Sequence, residues 1–166
     1  NQPKAIILDT IEFWIKKYWD TLEKVISKVD IISINLEEAE LITREKDTEK
    51  ASRILHKMGP RYVIIKKGVA GAELFGDGKK YCAPAYTIDK VIDPTGAGDW
   101  FKGGIAGYLA EINEVSFDSL KSAIYYGTSL ASFSLEKIGT INLLPLSKNS
   151  IEERIKKIKE TEWVIT

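Results

Sequence analysis

Three short apolar runs constrain this chain more than any other feature: Ala5 to Leu8, Asp30 to Ile34 and Tyr62 to Ile65. Each is bounded by polar residues and rich in β-branched side chains, so each predicts a buried strand. Helical patterns separate them. Phe13 to Val29 carries Trp14, Ile15, Tyr18, Leu22, Val25 and Ile26 at spacings of three and four, which predicts one amphipathic helix. Leu36 to Ile42 and Thr48 to Met58 predict two more, the second with Asp47 or Thr48 as cap and Gly59-Pro60 as stop. Strands alternating with helices imply a parallel sheet covered on its faces.

The pattern then changes. Ala72 to Phe75 and Lys80 to Ala83, joined through Gly76-Asp77-Gly78, predict an antiparallel hairpin. Two longer helices are expected over about Asp99 to Glu111 and Ser116 to Ser134, and a charged terminal helix over Ile151 to Glu160. The second long helix has a face of small residues, including Ser122, Ala123, Gly127 and Ser129, that permits close packing. The expected class is α/β, a three-layer α/β/α sheet, mostly parallel with one antiparallel hairpin, forming a single domain over residues 1–166. The chain opens Asn-Gln-Pro-Lys and enters a strand almost at once, as an internal start would.

With 24 basic and 24 acidic residues the formal charge is zero, which argues against a protein built to grip nucleic acid or acidic membranes. No apolar run approaches the roughly 18 residues of a membrane span. One cysteine, Cys82, rules out an intramolecular disulfide and best fits a reducing, cytoplasmic setting. One histidine, His56, excludes chemistry needing two imidazoles; its place in ASRILHKMG predicts a helix-surface or boundary residue.

The chemistry concentrates in Asp93-Pro94-Thr95-Gly96-Ala97-Gly98-Asp99-Trp100-Phe101. Small residues at Gly96, Ala97 and Gly98 let backbone N–H groups approach a ligand closely. The helix that follows places unpaired donors and the positive end of its dipole at the loop, an arrangement suited to phosphate. Asp99 either caps that helix or faces outward to accept a proton from an attacking hydroxyl. The loop is not a Walker A motif, because no Gly-Lys-Ser/Thr follows. Phe101 stands where a dinucleotide fingerprint needs its third small residue.

This segment resembles the C-terminal signature of the ribokinase-like (PfkB) carbohydrate kinases. Asn35-Leu36-Glu37-Glu38 is similar to that family's Asn-x-x-Glu turn, and Lys66-Lys67-Gly68-Val69-Ala70-Gly71-Ala72 to its Lys-x-Gly-x-x-Gly-Ala turn. Asp9-Thr10 and Ile138-Gly139-Thr140 also fit in order. The resemblance spans the chain but only the C-terminal half of such a kinase, without the N-terminal half and the lid.

The resemblance implies ATP-dependent phosphoryl transfer to a hydroxyl of a sugar or nucleoside. By it, Asp99 is the general base, and Gly96, Ala97 and Gly98 form the anion hole. Asn35 and Glu38 lie near Mg²⁺ and the nucleotide phosphates, Glu38 acting through water, with a helix cap as the alternative reading of Asn35. Lys66 and Gly68 lie along the triphosphate, with Gly71 and Gly139 in the same nucleotide-binding set. Asp93 and Thr95 resemble the start of a monovalent-cation loop, implying K⁺, although Asp93 can equally brace the loop. The segment from Ser132 to Asn142 walls the adenine pocket. The resemblance also implies a homodimer joined through the lid. Trp100 and Lys102 depart from the usual pattern, and Trp100 can either line the acceptor site or pack inward. A nucleotide-binding module without kinase activity is the alternative reading.

Overall fold

Val, Ile and Tyr crowd a helix but fit a pleated strand. The three apolar runs accordingly form strands in the computed structural model, which describes residues 3–140 and 144–161. They are β1 (Ile7–Leu8), β2 (Ile31–Asn35) and β3 (Tyr62–Lys66), followed by the hairpin β4 (Ala72–Gly76) and β5 (Lys79–Ala83). The sheet runs in the order β1-β2-β3-β4-β5. β1, β2 and β3 are parallel, and β4 returns antiparallel to β3 with Val63 opposite Phe75. The hairpin turns at Asp77-Gly78, both with positive φ, as a two-residue turn requires.

By chain contacts the molecule divides into two units, residues 1–68 with 72–82, and residues 69–71 with 83–166. The first holds nearly all of the sheet and four helices: α1 (Glu12–Lys17), α2 (Trp19–Ile26), α3 (Leu36–Thr43) and α4 (Thr48–Met58). Alternate strand residues Ile32, Ile34, Val63, Ile65 and Phe75 pack with Ile15, Leu22, Ile26, Ala39 and Leu55 from these helices. The opposite strand positions Ile31, Ile64 and Leu74 are fully buried as well, which is why the strands read as unbroken apolar runs.

The single helix expected over Phe13 to Val29 is two. Tyr18 leaves the helical region with φ −136° and ψ 39°, ending α1 and starting α2. The break separates buried Ile15 from Leu22 and Ile26, and gathers Phe13, Trp14 and Tyr18 into an exposed cluster with ring centroids 5.1–5.7 Å apart. His56 sits in the last turn of α4, its Nδ1 2.9 Å from the Pro60 carbonyl.

The second unit contains α5 (Ala97–Ile112), α6 (Phe117–Ser134) and α7 (Lys148–Thr161). The small face of α6 does bring two backbones together. A Cβ added to Gly104 in α5 would lie 2.7 Å from the Gly127 Cα, and one added to Gly127 would lie 2.6 Å from the Phe101 carbonyl oxygen. Arg154 ties α7 to α6 with its guanidinium 3.4 Å from the Phe133 ring centroid, bonded to Ser132 Oγ and to Glu136. Among the described residues no helix is long and apolar enough to cross a membrane.

Candidate functional site

In the first unit, the candidate residues stand at the C-terminal ends of the parallel strands, where open α/β sheets place their ligands. Asn35 ends β2 and caps α3. Its side-chain oxygen accepts from the Glu38 N–H at 2.8 Å, while Glu38 Oε2 accepts from the Asn35 N–H at 2.9 Å. This reciprocal capping box satisfies two backbone donors of α3 and holds Glu38 buried in its first turn. Asn35 and Glu38 are therefore already a joined pair in the fold.

Lys66 ends β3, opposite Asn35 in the parallel register. Its ammonium lies 3.3 Å from Asp9 Oδ1, and both side chains are more than four-fifths buried. Asp9 follows directly on β1, so the pair bridges strands on either side of β2. Gly68 opens a single 3₁₀ turn with φ 58° and no atom within 4 Å of an added Cβ. Among the described residues, no three His, Cys, Asp or Glu side chains group as a metal cage.

In the second unit, the glycine loop meets α5. Gly96 is the N-cap residue with φ 79°, a left-handed conformation that glycine adopts without strain. The Ala97 N–H donates to the Pro94 carbonyl at 3.3 Å and the Trp100 N–H to Gly96 at 3.0 Å. Helix geometry leaves the N–H groups of Gly98 and Asp99 without an intrahelical acceptor. Asp99 makes no cap: its carboxylate is 79% exposed and pairs with Lys102 at 3.0 Å. The carboxylate therefore faces solvent beside Lys102 and does not cap α5.

Asp93 accepts from the Thr95 N–H at 2.9 Å. Hydrogen bonds from Thr95 and from the Gly139 backbone hold its carboxyl below the usual range, so Asp93 braces the loop onto the Gly139 turn. Gly139 has φ 67°. An edge of the Trp100 ring lies 3.9 Å from where a Cβ on Gly96 would stand, so the indole packs over the glycine loop. Gly71 has φ 87°, and an added Cβ would lie 2.0 Å from the Ala83 carbonyl oxygen; only glycine fits. Of the proposed adenine wall, Ile141 and Asn142 lie outside the described residues.

Sequence reasoning missed two groups. Asp9 was noted, but not as the partner of Lys66. Glu73, in β4, is 6% exposed and its Oε1 meets Lys67 at 3.0 Å and Lys80 at 3.4 Å. Burial pushes its carboxyl up, but hydrogen bonds from Thr48 and Lys67 and the charges of both lysines outweigh this and lower it. The signal for Glu73 was a charged residue in an otherwise apolar strand.

With this geometry, the chain can be compared with known proteins. It aligns over 91% of its length with the crystal structure of aminoimidazole riboside kinase from Salmonella enterica, with TM-score 0.77 and 22% identity, covering 52% of that chain. It aligns over 92% with a Methanocaldococcus jannaschii nucleoside kinase, an archaeal member of the ribokinase family, with TM-score 0.74 and 24% identity, covering 48% of that chain. The architecture is thus the α/β fold of the ribokinase-like kinases. Residues 5–147 match the pfkB family carbohydrate kinases, and this chain belongs to that family. Curated relatives include a cytidine kinase from Thermococcus kodakarensis, 41% identical over 100 residues, 58% of this chain and 35% of that protein. A ribokinase from Haemophilus influenzae is 33% identical over 135 residues, 78% of this chain and 42% of that protein. The chain spans less than half the length of these two curated relatives.

Proposed function

We propose that this chain carries the nucleotide-binding and phosphoryl-transfer residues of an ATP-dependent kinase whose acceptor is a hydroxyl of a sugar or nucleoside. The observation that carries the reading is the first turn of α5. There an outward carboxylate, Asp99, stands beside backbone donors that lack an intrahelical acceptor. An acceptor hydroxyl gives its proton to Asp99 as its oxygen bonds to the γ-phosphorus. The bond from that phosphorus to the bridging oxygen breaks, and ADP leaves. Donors at Gly96 to Gly98 offset the charge that develops on the transferring group. Asn35, Glu38, Lys66 and Gly68 would hold the triphosphate side, and Gly71 and Gly139 complete the nucleotide-binding set that the resemblance implies. Mg²⁺ bound with ATP supplies positive charge to the phosphate oxygens. Within the fold Asp93 acts as a brace, and a K⁺ ion beside Asp93 and Thr95 is tested by exchanging K⁺ for Na⁺ in the assay.

The test is ADP release from Mg·ATP by the complete gene product against a panel of sugars, sugar phosphates and nucleosides. We expect release that depends on one acceptor. In Asp99→Asn, kcat should fall by about 10²–10⁴-fold, the range of general-base catalysis, with Mg·ATP affinity little changed. Near-normal turnover in that variant removes Asp99 as base. Nucleotide binding with no acceptor-dependent release across the panel supports the binding-module alternative, which the chain's partial span of its relatives motivates.

A further inference from the structure

The Asp9–Lys66 pair has features of a built device. Its members are 57 residues apart in the chain, and both are largely withdrawn from water. β1 and β3 flank β2, so at roughly 4.8 Å per strand their ends stand about 10 Å apart. Bringing the two groups together spans the end of β2, where Asn35 starts α3. An ammonium near a helix N-terminus is disfavoured by the helix dipole unless an anion accompanies it. Asp9 supplies that anion from the neighbouring strand end.

We infer that Asp9 is the positioning residue for Lys66: it holds the ammonium over the end of β2, where an incoming triphosphate meets it already placed. This rests on the kinase reading above and goes beyond it in assigning a role to Asp9. In this arrangement the carboxylate is not a base. It acts through Lys66, so its removal shows in nucleotide affinity and not in the chemical step.

The experiment is a double-mutant cycle on the complete gene product with Asp9→Asn and Lys66→Met, reading the Kd of ADP by calorimetry with and without Mg²⁺, and kcat and KM for Mg·ATP. Each single variant is expected to weaken nucleotide binding about tenfold, the worth of one charge-assisted hydrogen bond, read as a rise in the Kd of ADP and in the KM for Mg·ATP. The double variant should be no weaker than Lys66→Met alone, because Asp9 has nothing left to position. Asp9→Glu should recover much of the lost affinity. If Asp9→Asn binds nucleotide like the parent, or if the two effects multiply in the double variant, the assignment is wrong. A thermal melt lowered with unchanged Kd reduces Asp9 to a structural ion pair and likewise overturns it. Failure of the unsubstituted protein to bind nucleotide at all would instead remove the kinase reading beneath it.

Discussion

At the scale of single residues, the charged groups divide by what surrounds them. Lys102 and Asp99 form an exposed i,i+3 pair of the kind that contributes little to stability. Glu73 is the opposite case, a buried carboxylate whose folded state favours the charged form. Its folded pKa is lowered, so its contribution is fully present above the ordinary carboxylate range and is lost as pH falls through the folded value. Glu73→Gln should therefore cost about 1–3 kcal/mol in urea unfolding at pH 7, by removing hydrogen bonds to a charged group. The gap between parent and variant should narrow as pH falls below the ordinary carboxylate range, through the lowered folded value. An unchanged gap would mean that packing and not charge is what Glu73 contributes. The two runs joined through Gly76-Asp77-Gly78 predict the hairpin, but no local pattern says that Lys67 and Lys80 converge on Glu73.

At the scale of elements, local chemistry accounts for most ends, but not for the break between α1 and α2. Asn35, Asp47 and Ser116 each cap the helix that follows, as residues of their type should. The break at Tyr18 has no glycine or proline to mark it. Ile15, Leu22 and Ile26 are spaced seven and four apart, as on one face of a continuous helix, so the burial pattern itself does not announce the break. The contact of α5 with α6 was legible in part, through the small residues of α6. What was not legible is that Gly127 faces the Phe101 carbonyl and Gly104 faces Gly127. Gly127→Ala should force the helices apart and lower stability by about 1–3 kcal/mol, the usual cost of overpacking. Gly107→Ala, where an added Cβ meets no atom within 4 Å, should be neutral or slightly stabilising through helix propensity. Thermal melts of the two variants side by side check both.

At the scale of the whole molecule, the chain passes between its two units around residues 68–72 and again at 82–83. Gly71 marks one passage and packs against the carbonyl of Ala83 at the other. Gly71→Ala combines positive φ with a clash against backbone, and should cost about 2–4 kcal/mol or prevent folding; soluble yield and Tm report it. The sequence by itself determined the class of fold, because apolar runs and helical periods record burial directly and burial is a local property of composition. It also determined the glycine loop and its following helix, since the left-handed conformation at Gly96 where α5 begins is one that glycine adopts without strain. Only tertiary structure decided which charges meet. Asp9 follows β1 and Lys66 ends β3, strands that are not neighbours, and strand order is set by how the sheet buries its faces, a condition written over the whole chain and not in any one segment of it.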